Sequence, residues 1–117
     1  MARETNLSET TFILPREAAI EREHGVKVRI FTVAEELPFA GHPTLGTASV
    51  IRGRTGASRV ELDLLVGKIP VEFASELGPS FGTMRQRDPE FGQIHRREDI
   101  ARFTNLSPED LRDDVPI

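Results

Sequence analysis

Two short segments of this 117-residue chain carry side chains whose types and spacing suit chemistry. The first, Asn6-Leu7-Ser8-Glu9-Thr10-Thr11-Phe12, sets a carboxylate directly before a β-rich run. The second, Glu36-Leu37-Pro38-Phe39-Ala40-Gly41-His42-Pro43-Thr44-Leu45-Gly46-Thr47-Ala48, delivers Gly41 and His42 to the start of a helix. Free backbone N–H groups at a helix start make an anion site, suited here to a substrate carboxylate. A histidine beside it can hydrogen-bond or shuttle protons, because its pKa lies close to neutrality. A nearby glutamate pushed up in pKa by burial could remove or return a proton.

Each of these residues also has a plainer role open to it. Asn6 and Glu9 fit the two ends of a helix capping box, although the β-rich run after Glu9 speaks against a helix there. His42 suits the neighbourhood of an N-cap, and Gly41 a tight turn. Glu35, Glu36 and His42 form an imaginable metal trio, but no pair has zinc-type spacing, so no metal is expected. Ser8 has no His/Asp arrangement to make it a nucleophile. His24 and His95 lie in charged stretches and are expected to be solvated.

Composition narrows the classes. There is no cysteine, which excludes disulfide frameworks, thiolate metal sites and thiol nucleophiles. Acid–base chemistry is left to carboxylates, lysine and the three histidines. Fifteen basic and nineteen acidic residues give a net charge of -4, with the arginines scattered between acids. A nucleic-acid binder gathers its cations on one face and adds stacking aromatics, whereas Trp and Tyr are absent here, so no nucleic-acid partner is expected. No apolar run approaches the roughly 20 residues of a membrane helix, and no secretory leader is visible at the N-terminus. Cytoplasmic residence without a membrane partner is the expectation. A chain of this size suits one small domain that buries roughly two thirds of its unfolded surface.

The elements that must position these residues are mainly strands. Thr10–Leu14 is a short β-rich run. Val26, Val28 and Ile30 alternate with Lys27, Arg29 and Phe31, and Val60, Leu62, Leu64 and Val66 alternate with Arg59, Glu61 and Asp63. The charged residues 21–25 read as a hairpin loop between the first two strands. Gly67-Lys68 reads as a turn, followed by a strand through Ile69, Val71 and Phe73, in which Pro70 suggests an edge or outward-facing position. A last strand is expected within residues 81–86. Pro43 suits a first helical position, and the helix through Leu45, Ala48 and Ile51 should stop near Gly53 or Gly56. Its small side chains (Gly46, Thr47, Ala48, Ser49) place it inside a curved sheet. Two shorter helical segments follow, over residues 97–103 and from Ser107 as N-cap.

In order and spacing, these segments resemble the PhzF (phenazine-biosynthesis-like) isomerase family. The matching stretches are Asn6-Leu7-Ser8-Glu9-Thr10-Thr11-Phe12, then Arg29-Ile30-Phe31-Thr32, then the run from Glu36 through Gly41-His42-Pro43-Thr44 to Ala48, with Leu106-Ser107-Pro108-Glu109-Asp110-Leu111 near the end. The resemblance implies one lobe of a diaminopimelate-epimerase-like fold: α+β, a strongly curved, mainly antiparallel sheet wrapped around one central helix. It implies a cofactor-independent isomerase acting on a small carboxylate-bearing metabolite. Glu9 is then the catalytic acid/base, and Gly41 and His42 are substrate-binding residues. The absence of cysteine agrees with this branch, because epimerases on the same fold use paired thiols.

Against the family pattern, the segment that precedes Asn6 is short and the second lobe is missing. The expectation is therefore a truncated N-terminal lobe over residues 1–117, which supplies half of an inter-lobe site. The alternative is a non-catalytic remnant or anion-binding module of the same fold. A homodimer is a third expectation, since it would cover the apolar face that a second lobe normally hides.

Overall fold

The computed structural model describes residues 1–74 and 81–114. The chain forms two compact units, Met1–Gln86 and a second that begins at Arg87. The first opens with a single helical turn, α1 (Ala2–Thr5), which ends at Asn6 in the left-handed conformation, φ 53°. Asn6 thus closes a helix instead of starting one, and the capping-box reading of Asn6 and Glu9 gives way to strand β1 (Thr10–Leu14).

β1 pairs antiparallel with β2 (Val26–Phe31), Thr11 opposite Ile30 and Ile13 opposite Val28. The connection between them is not the expected hairpin loop. It holds a helix, α2 (Ala18–His24), with Gly25 at its end. Two alanines followed by Glu and Arg are good helix formers, and the Arg22 guanidinium donates back to the Ala18 carbonyl at 3.2 Å, so local propensity prevails over a turn. A two-residue strand, β3 (Glu36–Leu37), returns along β2. There Arg29 donates from Nε and Nη2 to the two oxygens of Glu36 at 2.9 and 2.6 Å, a forked pair that fixes the approach to Gly41.

Helix α3 (Gly41–Thr55) follows and ends on Gly56, whose φ of +70° and N–H bond to the Arg52 carbonyl make it the C-cap. It starts two residues before Pro43, but that residue still falls in the first turn, where no N–H is needed. α3 is the crossover that lets β2 and β4 (Arg59–Leu64) run parallel, Val26 opposite Leu62, the one parallel pair among the described residues. β5 (Gly67–Phe73) is antiparallel to β4, and the hairpin turns on Leu65-Val66, with Leu64 paired to Gly67. β6 (Gly82–Met84) closes the series against β5. Among the described residues it pairs with residues 71–73 and not with Pro70, whose missing N–H therefore breaks no bond to β6.

The six strands make one sheet in the order β1-β2-β4-β5-β6, with β3 on β2, antiparallel except for the parallel pair. This is the mixed α+β, mainly antiparallel architecture that the family resemblance implies. The core is what the alternating pattern predicts: Val28, Ile30, Val60, Leu62, Leu64, Ile69, Val71 and Phe73 from the strands, with Ala48 from α3. Thr44 and Thr47 are also buried, because the small face of α3 lets strands come close to the helix axis. Their hydroxyls are satisfied within the helix, at 2.6 Å from the Ala40 carbonyl and 2.7 Å from that of Pro43.

The second unit holds α4 (Arg97–Thr104), which ends at Asn105 in the left-handed conformation, and a single 3-10 turn, Pro108–Asp110. The Ser107 N–H donates to the Asp110 carboxylate at 3.1 Å, the contact that the Ser-Pro-Glu-Asp sequence favours. Arg97 ties the unit together by donating to the carbonyls of Pro108, Leu111 and Arg112 at 2.9, 2.6 and 2.6 Å.

Candidate active site

Alternation along β1 sends Glu9, Thr11 and Ile13 to the side of the sheet where α3 lies. Along α3, residues four apart stack on one face, so His42, Gly46, Val50 and Arg54 form a single stripe. Strand and helix together wall an open groove of about 540 Å³, lined by those seven residues with Pro43 and Thr47. Thr11 and Thr47 meet across its floor, hydroxyl to hydroxyl at 2.9 Å, which fixes β1 against the helix.

At the α3 start the groove gathers its polar groups. His42 Nε2 stands 3.2 Å from Glu9 Oε2, with the histidine side chain 79% exposed and the glutamate 20% exposed. Oε2 itself is buried and accepts no hydrogen bond from the described residues, so the histidine is near it but not aligned to donate. A buried carboxylate oxygen that accepts no bond from the protein calls for a physical reason, and a role in moving a proton is one such reason.

The helix start beside it is left open. Ala40 occupies the N-cap and has no side chain to accept from the first amides, and the first turn carries no acid. Thr44 N–H already donates to the Ala40 carbonyl at 3.2 Å, and Pro43 has no N–H. Among the described residues, the amides of Gly41 and His42 are therefore the donors of this turn without a partner. Gly41 is not among the groove-lining residues; a methyl group on it would rest 3.5 Å from Met84 Cε.

The structure thus brings Glu9 and His42 together and puts the Gly41 amide at the adjoining helix start. Glu36 is turned away from any metal role by its fork with Arg29, whose hydrogen bonds hold the Glu36 carboxyl below the usual carboxylate range. Among the described residues, no group of three or more His, Asp or Glu side chains is placed to hold a metal ion. The sequence reading did not single out Thr11, Ile13, Val50 or Arg54. The signal was present in the four-residue spacing 42, 46, 50 and 54, continued from the strand alternation 9, 11 and 13.

Residues 1–117 match the phenazine biosynthesis-like (PhzC-PhzF) family. The chain is 37% identical over 107 residues to a trans-2,3-dihydro-3-hydroxyanthranilate isomerase of Pseudomonas aeruginosa, covering 91% of this chain and 37% of that protein. With the enzyme of the same name from Pseudomonas chlororaphis it shares 38% over 109 residues, covering 92% of this chain and 37% of the relative. Among solved structures it is similar to a predicted epimerase from Pseudomonas aeruginosa, with TM-score 0.76, 31% identity and coverage of 98% of this chain and 41% of the other. A PhzF-family protein of Bacillus anthracis gives TM-score 0.74 at 28% identity, covering 99% and 39%. The chain therefore spans little more than a third of the curated relatives it matches. On the match along its whole length, it belongs to the phenazine biosynthesis-like (PhzC-PhzF) family.

Proposed function

We propose that this chain carries the acid/base half of a cofactor-independent isomerase site for a small carboxylate-bearing metabolite. Glu9 takes a proton from one carbon of the substrate and returns one to another, so the bond order shifts with no net oxidation and no co-reactant. The substrate carboxylate sits at the amides of Gly41 and His42, where the positive end of α3 favours an anion. His42 holds the substrate beside Glu9 and steadies the carboxylate when protonated. The observation that carries the reading is the buried, undonated Oε2 of Glu9, placed at the mouth of an uncapped helix start. The relatives named trans-2,3-dihydro-3-hydroxyanthranilate isomerase make that dihydroaromatic acid the first substrate to try.

The test is uptake of deuterium from D2O into trans-2,3-dihydro-3-hydroxyanthranilate, followed by proton NMR with the chain present. Glu9→Gln keeps the size of the side chain and removes its basicity, so exchange should fall by about 10²–10⁴-fold with unchanged circular dichroism. A Gln variant that exchanges at the parent rate sinks the assignment. The open flank of the groove favours one other reading, an anion-binding module without turnover. It predicts saturable carboxylate binding with no deuterium uptake in either protein.

A further inference from the structure

The face of the sheet behind the site carries a brace that crosses three strands. Val28 and Ile30 of β2 are buried in the core, so alternation turns Arg29 and Phe31 to the opposite face. Phe12 of β1 meets Phe31 edge to face, with ring centroids 5.6 Å apart. The Arg29 guanidinium lies 4.8 Å from the centroid of the same Phe31 ring and forks onto Glu36 of β3 at 2.9 and 2.6 Å. The brace thus runs Phe12, Phe31, Arg29, Glu36, from one neighbour of β2 to another. Both residues of the proton-handling pair are registered on the end of β2 that it spans. Thr10, next to Glu9, pairs with Phe31 from one side, and Glu36, on the way to His42, pairs with Phe31 from the other.

The other anchors along this path are light. Among the described residues, the ladder of β3 consists of Ile30 with Leu37 and Phe31 with Glu36. Farther on, the Pro38 carbonyl accepts from the Val66 N–H at 3.2 Å. Glu9 Oε2 accepts no hydrogen bond from the described residues, so its 3.2 Å separation from His42 is inherited from strand register. We infer that Arg29 is a positioning residue, which sets His42 against Glu9 through its stack on Phe31 and its fork on Glu36. Lysine cannot do this, because an ammonium grips a carboxylate as a point charge, whereas the planar guanidinium also fixes direction. A solvent-exposed pair contributes little to stability, so the effect is on geometry. The carboxylate seat at the Gly41 and His42 amides belongs to α3 and moves with it, so a slackened fork alters the approach to Glu9 and leaves the seat intact. The catalytic consequence rests on the isomerase reading; the geometric one does not.

Arg29→Lys in the full chain tests it, with Arg59→Lys as the control. Arg59 also holds two glutamates, Glu61 and Glu72 at 2.9 Å each, but on β4 and β5, which do not pair with β1 among the described residues. Deuterium uptake is followed over a range of trans-2,3-dihydro-3-hydroxyanthranilate concentrations. Arg29→Lys should lose kcat by about 10–100-fold with KM within about twofold of the parent, while Arg59→Lys keeps both. Its Tm should lie within about 5 °C of the parent. An unchanged kcat overturns the inference, as does a loss that the control shares or one accompanied by a larger fall in Tm. A parent that takes up no deuterium refutes the isomerase reading instead, and NMR then decides the positioning role. In the parent, Glu9→Gln should shift the His42 ring signals, because the two side chains lie 3.2 Å apart. In the Arg29→Lys background the same substitution should shift them less than about half as far. Equal shifts in the two backgrounds overturn the inference.

Discussion

Replacing Gly25 by alanine tests how tightly β2 and β4 are joined. Gly25 links α2 to β2 with φ +89° and ψ 177°, a region of backbone space essentially restricted to glycine. Holding alanine there costs about 1–3 kcal/mol. A second penalty comes from space, because a Cβ at this position would lie 2.6 Å from the Glu61 carbonyl oxygen and 3.0 Å from its carbon. Those atoms are backbone of β4, one residue before the Val26–Leu62 parallel pair, so relief requires the two central strands to part. Such overpacking adds about 1–3 kcal/mol. The combined loss of about 2–6 kcal/mol is a large share of the roughly 4–13 kcal/mol expected of a unit this size. In a thermal melt followed by circular dichroism, Tm should fall by at least about 10 °C. Gly56→Ala is the control: its φ is +70°, but nothing lies within 4 Å of the added methyl, so only the conformational cost of about 1–2 kcal/mol remains. If the two variants melt within about 2 °C of each other, the steric argument at β4 is wrong.

Two further outcomes follow from the same contacts. Asp63 is one acid-sensitive point of the sheet: burial opposes its charge, but hydrogen bonds from Arg16 and Lys27, at 2.6 and 3.3 Å, outweigh burial and lower its pKa. A lowered folded pKa means stability that is present above the ordinary aspartate value of 3.8 and lost as pH falls through the folded value, so Asp63→Asn should flatten the acid limb of a stability–pH curve in urea melts; an unchanged limb would assign the acid loss elsewhere. Gly46→Leu adds a Cβ where nothing lies within 4 Å and extends its side chain into the groove that Gly46 lines. Its melting temperature should be no lower than the parent's, since leucine is the better helix former, while affinity for trans-2,3-dihydro-3-hydroxyanthranilate, read by NMR shift titration, falls at least about tenfold; undiminished affinity would place the ligand outside this groove.

Much of this protein is determined by short-range sequence. The alternation in β2, β4 and β5 names the core, because a strand with one buried face has only one set of residues to bury. Gly56 ends α3 because the last turn needs a left-handed residue, and the run through Gly41-His42-Pro43 marks the helix start and the family. Other features depend on residues far apart in the chain. Residues 18–24 carried both charge and helix formers, and their helix became definite only with Gly25 seated against β4. The parallel pairing of β2 with β4 follows from where α3 lays the chain down, which no local pattern records. The same is true of the site. Sequence identified Glu9, Gly41 and His42 one by one, but the 3.2 Å between Glu9 and His42, and the groove they share with Arg54, exist because β1 lies along the small-residue face of α3. Distances between chemical groups are set by packing, and packing is decided by the whole sheet at once.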